Sequence, residues 1–432
     1  MPSFLHTAVA TASLVLLSAC GGGGGDMPPI NPTPPLACLA LPAEASFHED
    51  PASSEWKDVL VDWRNRIWVA GYERGRYGET NIEPSGDARG VLRLLSGAGE
   101  LLFDSGTRLD SAGADVAEAL TLDANGALSV AGRTTGVLAG GVNRGQFDLF
   151  VARLDATAPA AAWQLAQSGD ERPQRPRRIQ AIGTDKLLIA GYDDDFVPSN
   201  FVSDWSDSFA AQFTVGTAAA PVLAWEHQNG SAEPDITVAL AMHQGHVFMG
   251  GMVAAGAQRG MFVRKLSPDG QPLWTARYTA LGIAALMSLP DGSLLMAGSV
   301  EGSWRGGVHR GGQDAFVARI NPENGAVIWS VQLGSAGADW VTDAKVDAQG
   351  RIWLYGETDG AFTAGRTPDG STDLFALQLR ADGSLMRSWQ WGTAADEAAT
   401  SLALDSCGRA VAVGSTGDNR RRRAVMWFPQ GQ

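Results

Sequence analysis

Short apolar runs that close on glycine recur along the whole chain: IWVAG ending at Gly71, LSVAG at Gly132, LLIAG at Gly191, VFMGG at Gly251, LLMAG at Gly298, IWLYG at Gly356 and AVAVG at Gly414. The seven are spaced by 61, 59, 60, 47, 58 and 58 residues. Before each lies a segment that alternates apolar and polar residues and ends in a tight turn, as in Thr121 to Gly126 and Lys345 to Gly350. Alternation with period two predicts a strand, and a glycine in the turn accepts the positive φ that a tight hairpin demands. After each glycine run comes a second apolar strand, such as LFVARL from Leu149 or AFVARI from Ala315, and then a strand marked by an aromatic residue: Phe103, Trp163, Trp225, Trp274, Trp329 or Trp389. Every unit therefore predicts four antiparallel strands, here A to D, with the glycine run as strand B.

A unit of about 58 residues built only of hairpins cannot bury both faces of its sheet, so neighbouring units must cover one another. Seven four-stranded units arranged radially make an all-β, seven-bladed β-propeller, with the tryptophans wedged between sheets where their large area contributes most. Six aromatic-marked D strands are found for seven units. The expectation is that an N-terminal strand, with Leu36 to Leu41 as the candidate, supplies the seventh and closes the ring in the last blade, which removes the open edge of a linear stack. Units such as GGQDAFVARINPENGAVIWSVQLGSAGADWVTDAKVDAQGRIWLYGET, from Gly311, resemble the bacterial seven-bladed β-propeller (SBBP) repeat, with its Gly-x-Asp-x-Phe-Val-x-Lys/Arg-Leu element, its tryptophan and its Val-Asp-x-x-Gly turn. That resemblance covers most of residues 55 to 428 and implies a secreted or surface-linked propeller.

Composition agrees. The chain of 432 residues has 53 Gly, 21 Pro, 44% hydrophobic and 19% charged residues, too apolar for disorder and too interrupted for a coiled coil. A formal charge of −14 disfavours nucleic acid as a partner.

The N-terminus reads as an address. An apolar segment, Ala8 to Leu17, leads to Leu17-Ser18-Ala19-Cys20, a cleaved secretory signal over residues 1–19. Its end resembles a bacterial lipobox, which implies that Cys20 is lipidated and acylated, a palmitate-type modification that anchors the protein in a membrane. Residues 20–35 are a glycine run followed by a proline-rich stretch, a tether, and 36–432 form the propeller. By the same resemblance, Gly21 in place of Asp after the cysteine implies the outer membrane of a Gram-negative cell, facing either the periplasm or the surface. With Cys20 lipidated, Cys38 and Cys407 remain. An even remainder in an oxidising compartment invites a disulfide, with Cys38 in the closing D strand and Cys407 in the A-to-B turn of the same blade.

Candidate chemistry is sparse. Carboxylates recur before strand A at Asp115, Asp235, Asp339 and Asp396, with Glu171 as a looser equivalent, and read as acceptors of backbone N–H groups in the D-to-A connection. The richest loop joins strands B and C of unit three, where Asp193, Asp194, Asp195, Trp205 and Asp207 suit a hard cation such as calcium or a stacked sugar. Arg172, Arg175, Arg177 and Arg178 in the unit-three linker and Arg420, Arg421, Arg422 and Arg423 in the last B-to-C loop need anions nearby, either a ligand or the chain's own surplus carboxylates. His243 and His246 form a His-x-x-His without an apparent third zinc ligand. No cofactor and no catalytic residue is assigned. The leading reading is a monomeric, non-catalytic envelope scaffold for a protein or glycan partner. An extracellular polysaccharide lyase or glycosidase using Asp194 and Asp207 is the alternative, and an outer-membrane assembly factor, for which eight blades are expected, is another.

Overall fold

A computed structural model describes residues 38, 47–49, 54–73, 88–138, 140–193, 206–216, 219–228, 233–253, 259–279, 282–362, 368–418 and 421–429. Residues 1–35 form one unit, none of it within that set, and residues 36–432 the other. The larger unit is a seven-bladed propeller of seven four-stranded antiparallel sheets. The first blade runs Ser54–Val61, Ile67–Glu73, Arg89–Leu95 and Leu101–Asp104, and the next five repeat that order along the chain. In the seventh sheet, Asp396–Leu404, Ala410–Asp418 and Arg421–Trp427 are followed by Phe47–Glu49, with Phe47 opposite Trp427 and Glu49 opposite Val425. The segment expected there, Leu36 to Leu41, is described only at Cys38, which lies in no strand. Phe47–Glu49 is three residues long, too short for alternation to reveal it.

Among the described residues eight apolar clusters form the core, each shared by two neighbouring blades, with two of them at the junction of blades one and two. Leu188, Ala190 and Ala210 of blade three meet Val247, Met249 and Leu266 of blade four, for example, and Trp353 and Tyr355 of blade six meet Val425 and Trp427 of blade seven. The D-strand tryptophans pack against these clusters as the repeat predicts: Trp225, Trp274, Trp329 and Trp389 each sit over one junction. Burial is thus distributed among junctions, and no blade has a core of its own.

The recurrent glycine has one cause in all seven blades. Strand A carries a bulge opposite it, between Trp56 and Asp58 in blade one and between Pro176 and Arg178 in blade three. The bulge pushes a strand-A carbonyl against strand B. A Cβ at Gly71 would run into the Glu55 carbonyl oxygen, at Gly191 into that of Arg175 and at Gly356 into that of Trp340. The Val-Asp-x-x-Gly turns have an equally local cause. One oxygen of Asp123 accepts the N–H groups of Asn125 (2.9 Å) and Ala127 (2.8 Å), and Asp347 and Asp405 repeat the pattern.

Cys38 and Cys407 are joined by a disulfide whose Cα atoms lie 5.7 Å apart across 369 residues of sequence. Cys407 occupies the A-to-B turn of blade seven, bracketed by Asp405 and Gly408. Cys38 is not part of the D strand, contrary to the placement drawn from sequence.

Candidate functional site: the B-to-C corner of blade three

Most carboxylates near the D-to-A connections are occupied in holding the blades. Asp339 accepts the Ser335 N–H (2.6 Å), the Ser335 hydroxyl (2.9 Å) and the Thr358 hydroxyl (2.5 Å), and Asp115 accepts the Ser111 N–H and hydroxyl in the same way. Burial lifts Asp339 to a pKa of about 6 despite these donors. In blade seven the role belongs to Glu397, held by Thr393 and Thr416, while Asp396 is exposed, so the sequence assignment shifts by one residue. Glu171 is also exposed, and Gln174 takes the equivalent strand position. A second clamp ties strand D to the B-to-C connection. Gln390 Nε2 donates to Asp373 (2.9 Å) and to the Gly360 carbonyl (3.0 Å), while its Oε1 accepts the Phe362 N–H (3.0 Å). Gln167 with Asp148 and Gln332 with Asp314 do the same.

Blade three breaks both patterns. Gln174 stands where Asp115 and Asp339 stand elsewhere, and Asp193 stands where Thr134 and Thr358 stand, so donor and acceptor have changed strands. Gln228, the equivalent of Gln390, donates to Asp193 (2.7 Å), while Asp207, the equivalent of Asp373, faces Asp193 directly across strands B and C. Asp193 is 1% exposed, and its second oxygen has no hydrogen-bond partner among the described residues. Burial, reinforced by Glu226 and Asp170, pushes its carboxyl up to about 8. Burial also raises Asp207 and Glu226, the latter in spite of a 2.9 Å bond from Gln174 Nε2. Arg172, exposed, reaches in to bond Gln228 Oε1 (2.5 Å) and lies 3.8 Å from Asp193 and 3.9 Å from Asp207, and Arg264 adds a weaker attraction on Asp207. At those separations Arg172 offsets only part of the repulsion between carboxyls placed opposite one another. The corner is a shielded acidic recess.

Other residues singled out in the sequence are placed less favourably. Asp194, Asp195 and Trp205 lie outside the described residues, as does Arg420. Arg421, Arg422 and Arg423 belong to strand C of blade seven, Arg421–Trp427, and Arg423 is exposed. Arg175, Arg177 and Arg178 are not linker residues: they lie on strand A of blade three, Gln174–Ile182. Charges at consecutive positions conceal a strand whose bulge faces a solvent-lined channel. His243 and His246 face each other across the two-residue turn Gln244-Gly245, both at positive φ. His243 Nδ1 bonds the Ser288 hydroxyl (2.8 Å), and among the described residues no group of metal-ligating side chains forms around either ring.

A carboxylate pair that sequence inspection passed over lines the central channel. Asp58 accepts the Val59 and Leu120 N–H groups and the Ser401 hydroxyl (2.9, 2.7 and 2.6 Å). Asp343 accepts the Ala344 and Leu402 N–H groups (2.9 and 3.0 Å), Lys345 Nζ (2.7 Å) and the same hydroxyl at 3.2 Å. Burial raises Asp58. Burial acts on Asp343 too, but Lys345 and Arg178 hold it below the ordinary range. Opposed shifts would suit an acid and a base, yet both oxygens of each are engaged, and the bonds to Leu120 and Leu402 cross from one blade to the next. The pair ties blades together. Its sequence signal is an Asp directly after the bulge in units one and six.

No family model matches the chain, and no curated protein matches it. Among solved structures, the WD40 β-propeller domain of Doa1 aligns with a TM-score of 0.51 and 10% identity, covering 90% of this chain and 98% of that one. Chaetomium thermophilum Sqt1 bound to the N-terminus of the ribosomal protein L10 gives 0.46 and 13%, covering 88% and 98%. Trypanosoma rangeli sialidase in complex with sialic acid gives 0.43 and 9%, covering 72% of this chain and 54% of that one. At 10% identity the likeness to the Doa1 domain shows the fold, a β-propeller, and nothing of the chemistry.

Proposed function

We propose that this protein is a non-catalytic binding scaffold of the bacterial cell envelope, held to the outer membrane through lipid on Cys20, and that its partner docks at the B-to-C corner of blade three. The observation that carries the docking site is the break in the repeat. Where Asp and Thr, or Asp and Gln, are placed alike in several blades they serve the fold, and blade three gives up both clamps to bury Asp193 opposite Asp207. A recess with surplus carboxyl groups fits a partner protein or glycan that presents a cationic group. The envelope address rests on the lipobox-like end of residues 1–19, and kinship with the SBBP repeat rests on the motifs of units two, five and six. Phe47–Glu49, paired with Arg421–Trp427, is taken as the strand that closes the ring.

The test is capture from envelope extract by the full chain, repeated with Asp193→Asn and Asp207→Asn and at pH 6 and 8.5. A saturable partner held more tightly at the higher pH, as Asp193 ionises, and lost in both variants is the expected result. Turnover of an extracellular polysaccharide that Asp207→Asn abolishes, with no partner retained, would replace this reading with the lyase or glycosidase alternative.

A further inference from the structure

The strand-A bulges do more than force a glycine in strand B. The residue left over by each bulge lines the central channel near its D-to-A end, around a cavity of about 350 Å³. This lies in the size range of small-molecule sites. Its wall is strongly asymmetric. Blades one to three contribute Lys57, Glu118 and Arg177 at the bulge, whereas blades four to seven contribute Val238, Ala284 and two threonines, with Ile283, Val341 and Ala399 beside them.

Pairing on the charged half leaves one cation over. Glu55 is held by Lys57 (2.7 Å) and by the Tyr72 hydroxyl (2.9 Å), and Glu118 by Arg133 (2.8 Å). Arg178 points its guanidinium at the carbonyls of Arg177 (3.1 Å) and Ala284 (3.3 Å), with Asp343 at 3.9 Å. Arg177 makes no ion pair and no side-chain hydrogen bond among the described residues, and its Nε is shielded from solvent without a partner. A guanidinium matches two oxygens of one anion, and a shielded unpaired donor is costly unless something arrives to accept from it.

We propose that the channel cavity binds a small organic carboxylate: its two oxygens on the Arg177 guanidinium, its body against the apolar wall of blades four to six. The asymmetry of the wall fixes the orientation. The proposal is independent of the blade-three corner, which lies at the outer end of strands B and C and uses none of these residues.

Calorimetric titration of the full chain with 4-methylvalerate, its neutral amide and inorganic phosphate tests it. The expected result is saturable binding of the carboxylate, with a Kd of about 1 mM or tighter. The amide should give no saturable heat, and the carboxylate should weaken at least about tenfold in Arg177→Met and by less in Arg177→Lys, which keeps charge but not the fork. Val238→Glu, at the neighbouring bulge, tethers a carboxylate beside Arg177. It should abolish binding of the free anion while raising Tm, and so guards against a misfolded Arg177 variant. Carboxylate binding unchanged in Arg177→Met, equal affinity for the amide, binding of phosphate alone, or no saturable heat at all would each overturn the assignment.

Discussion

At the residue scale, one environment explains why Asp193 is unusual. In blades two, six and seven the position holds a threonine, Thr134, Thr358 or Thr416, which donates to a carboxylate on strand A. Here the carboxyl is buried with Glu226 and Asp207 for neighbours, and its pKa lies near 8 rather than the ordinary 3.8. The folded chain therefore keeps a proton that the unfolded chain releases between about pH 4 and 8, and stability attributable to this group falls as pH rises across that window. Asp193→Asn is expected to match the parent near pH 5 and to exceed it by about 1–3 kcal/mol at pH 9, the scale of an ill-satisfied buried polar group. Denaturant titrations at the two pH values check this. An equal gain at both would mean that the carboxyl is ionised throughout. In the sequence, Asp193 and Asp207 are visible as members of an acidic loop. What could not be read was that they stand opposite one another, because register between strands B and C is a property of the pairing and not of the spacing.

Among elements, the clamp between strand D and the B-to-C connection is the recurring device. Gln390 has both ends of its amide in use, and its donor reaches Asp373 as well as a loop carbonyl. Gln390→Ala should cost about 1–2 kcal/mol, since it strips Asp373 of a buried donor. It should also raise amide hydrogen exchange at Phe362 while leaving the strands of blade five protected. Loss of protection throughout the ring would show that the clamp supports the global fold and not its own blade. Gln228 has the same place in strand D but serves Asp193, so the equivalent Gln228→Ala should disturb the acidic corner in preference to the loop end. Sequence reading found the strand that bears each glutamine from its aromatic marker. It did not find the clamp, because Gln, Asp and the carbonyl come from three separate strands or loops and share no local spacing.

For the whole molecule, the ends of the chain matter most. Cys38 and Cys407 link segments 369 residues apart, and the last and first blades also meet through Ser401 on Asp58 and Thr400 on the Trp56 carbonyl (2.6 and 2.7 Å). Opening the disulfide with reductant, or by Cys407→Ser, should lower stability by about 2–4 kcal/mol, chiefly by enlarging the unfolded ensemble, with the strand content of the folded state retained. Circular dichroism melts with and without reductant measure this, and unchanged melts would mean that the ring junction holds without the crosslink. By itself the sequence determined the number of blades, the order of strands within each and the aromatic wedges, because period-two alternation, hairpin turns and the bulge-facing glycine are local requirements that recur wherever a blade is made. It determined the candidate pairing of Cys38 with Cys407 by elimination. Only the tertiary structure decided that Phe47–Glu49 pairs with the last blade, that three arginines of blade three belong to a strand, and that Arg177 enters the central channel without an ion pair among the described residues. Each depends on which residues from distant units are brought within a few ångströms, and that proximity is created when the ring assembles.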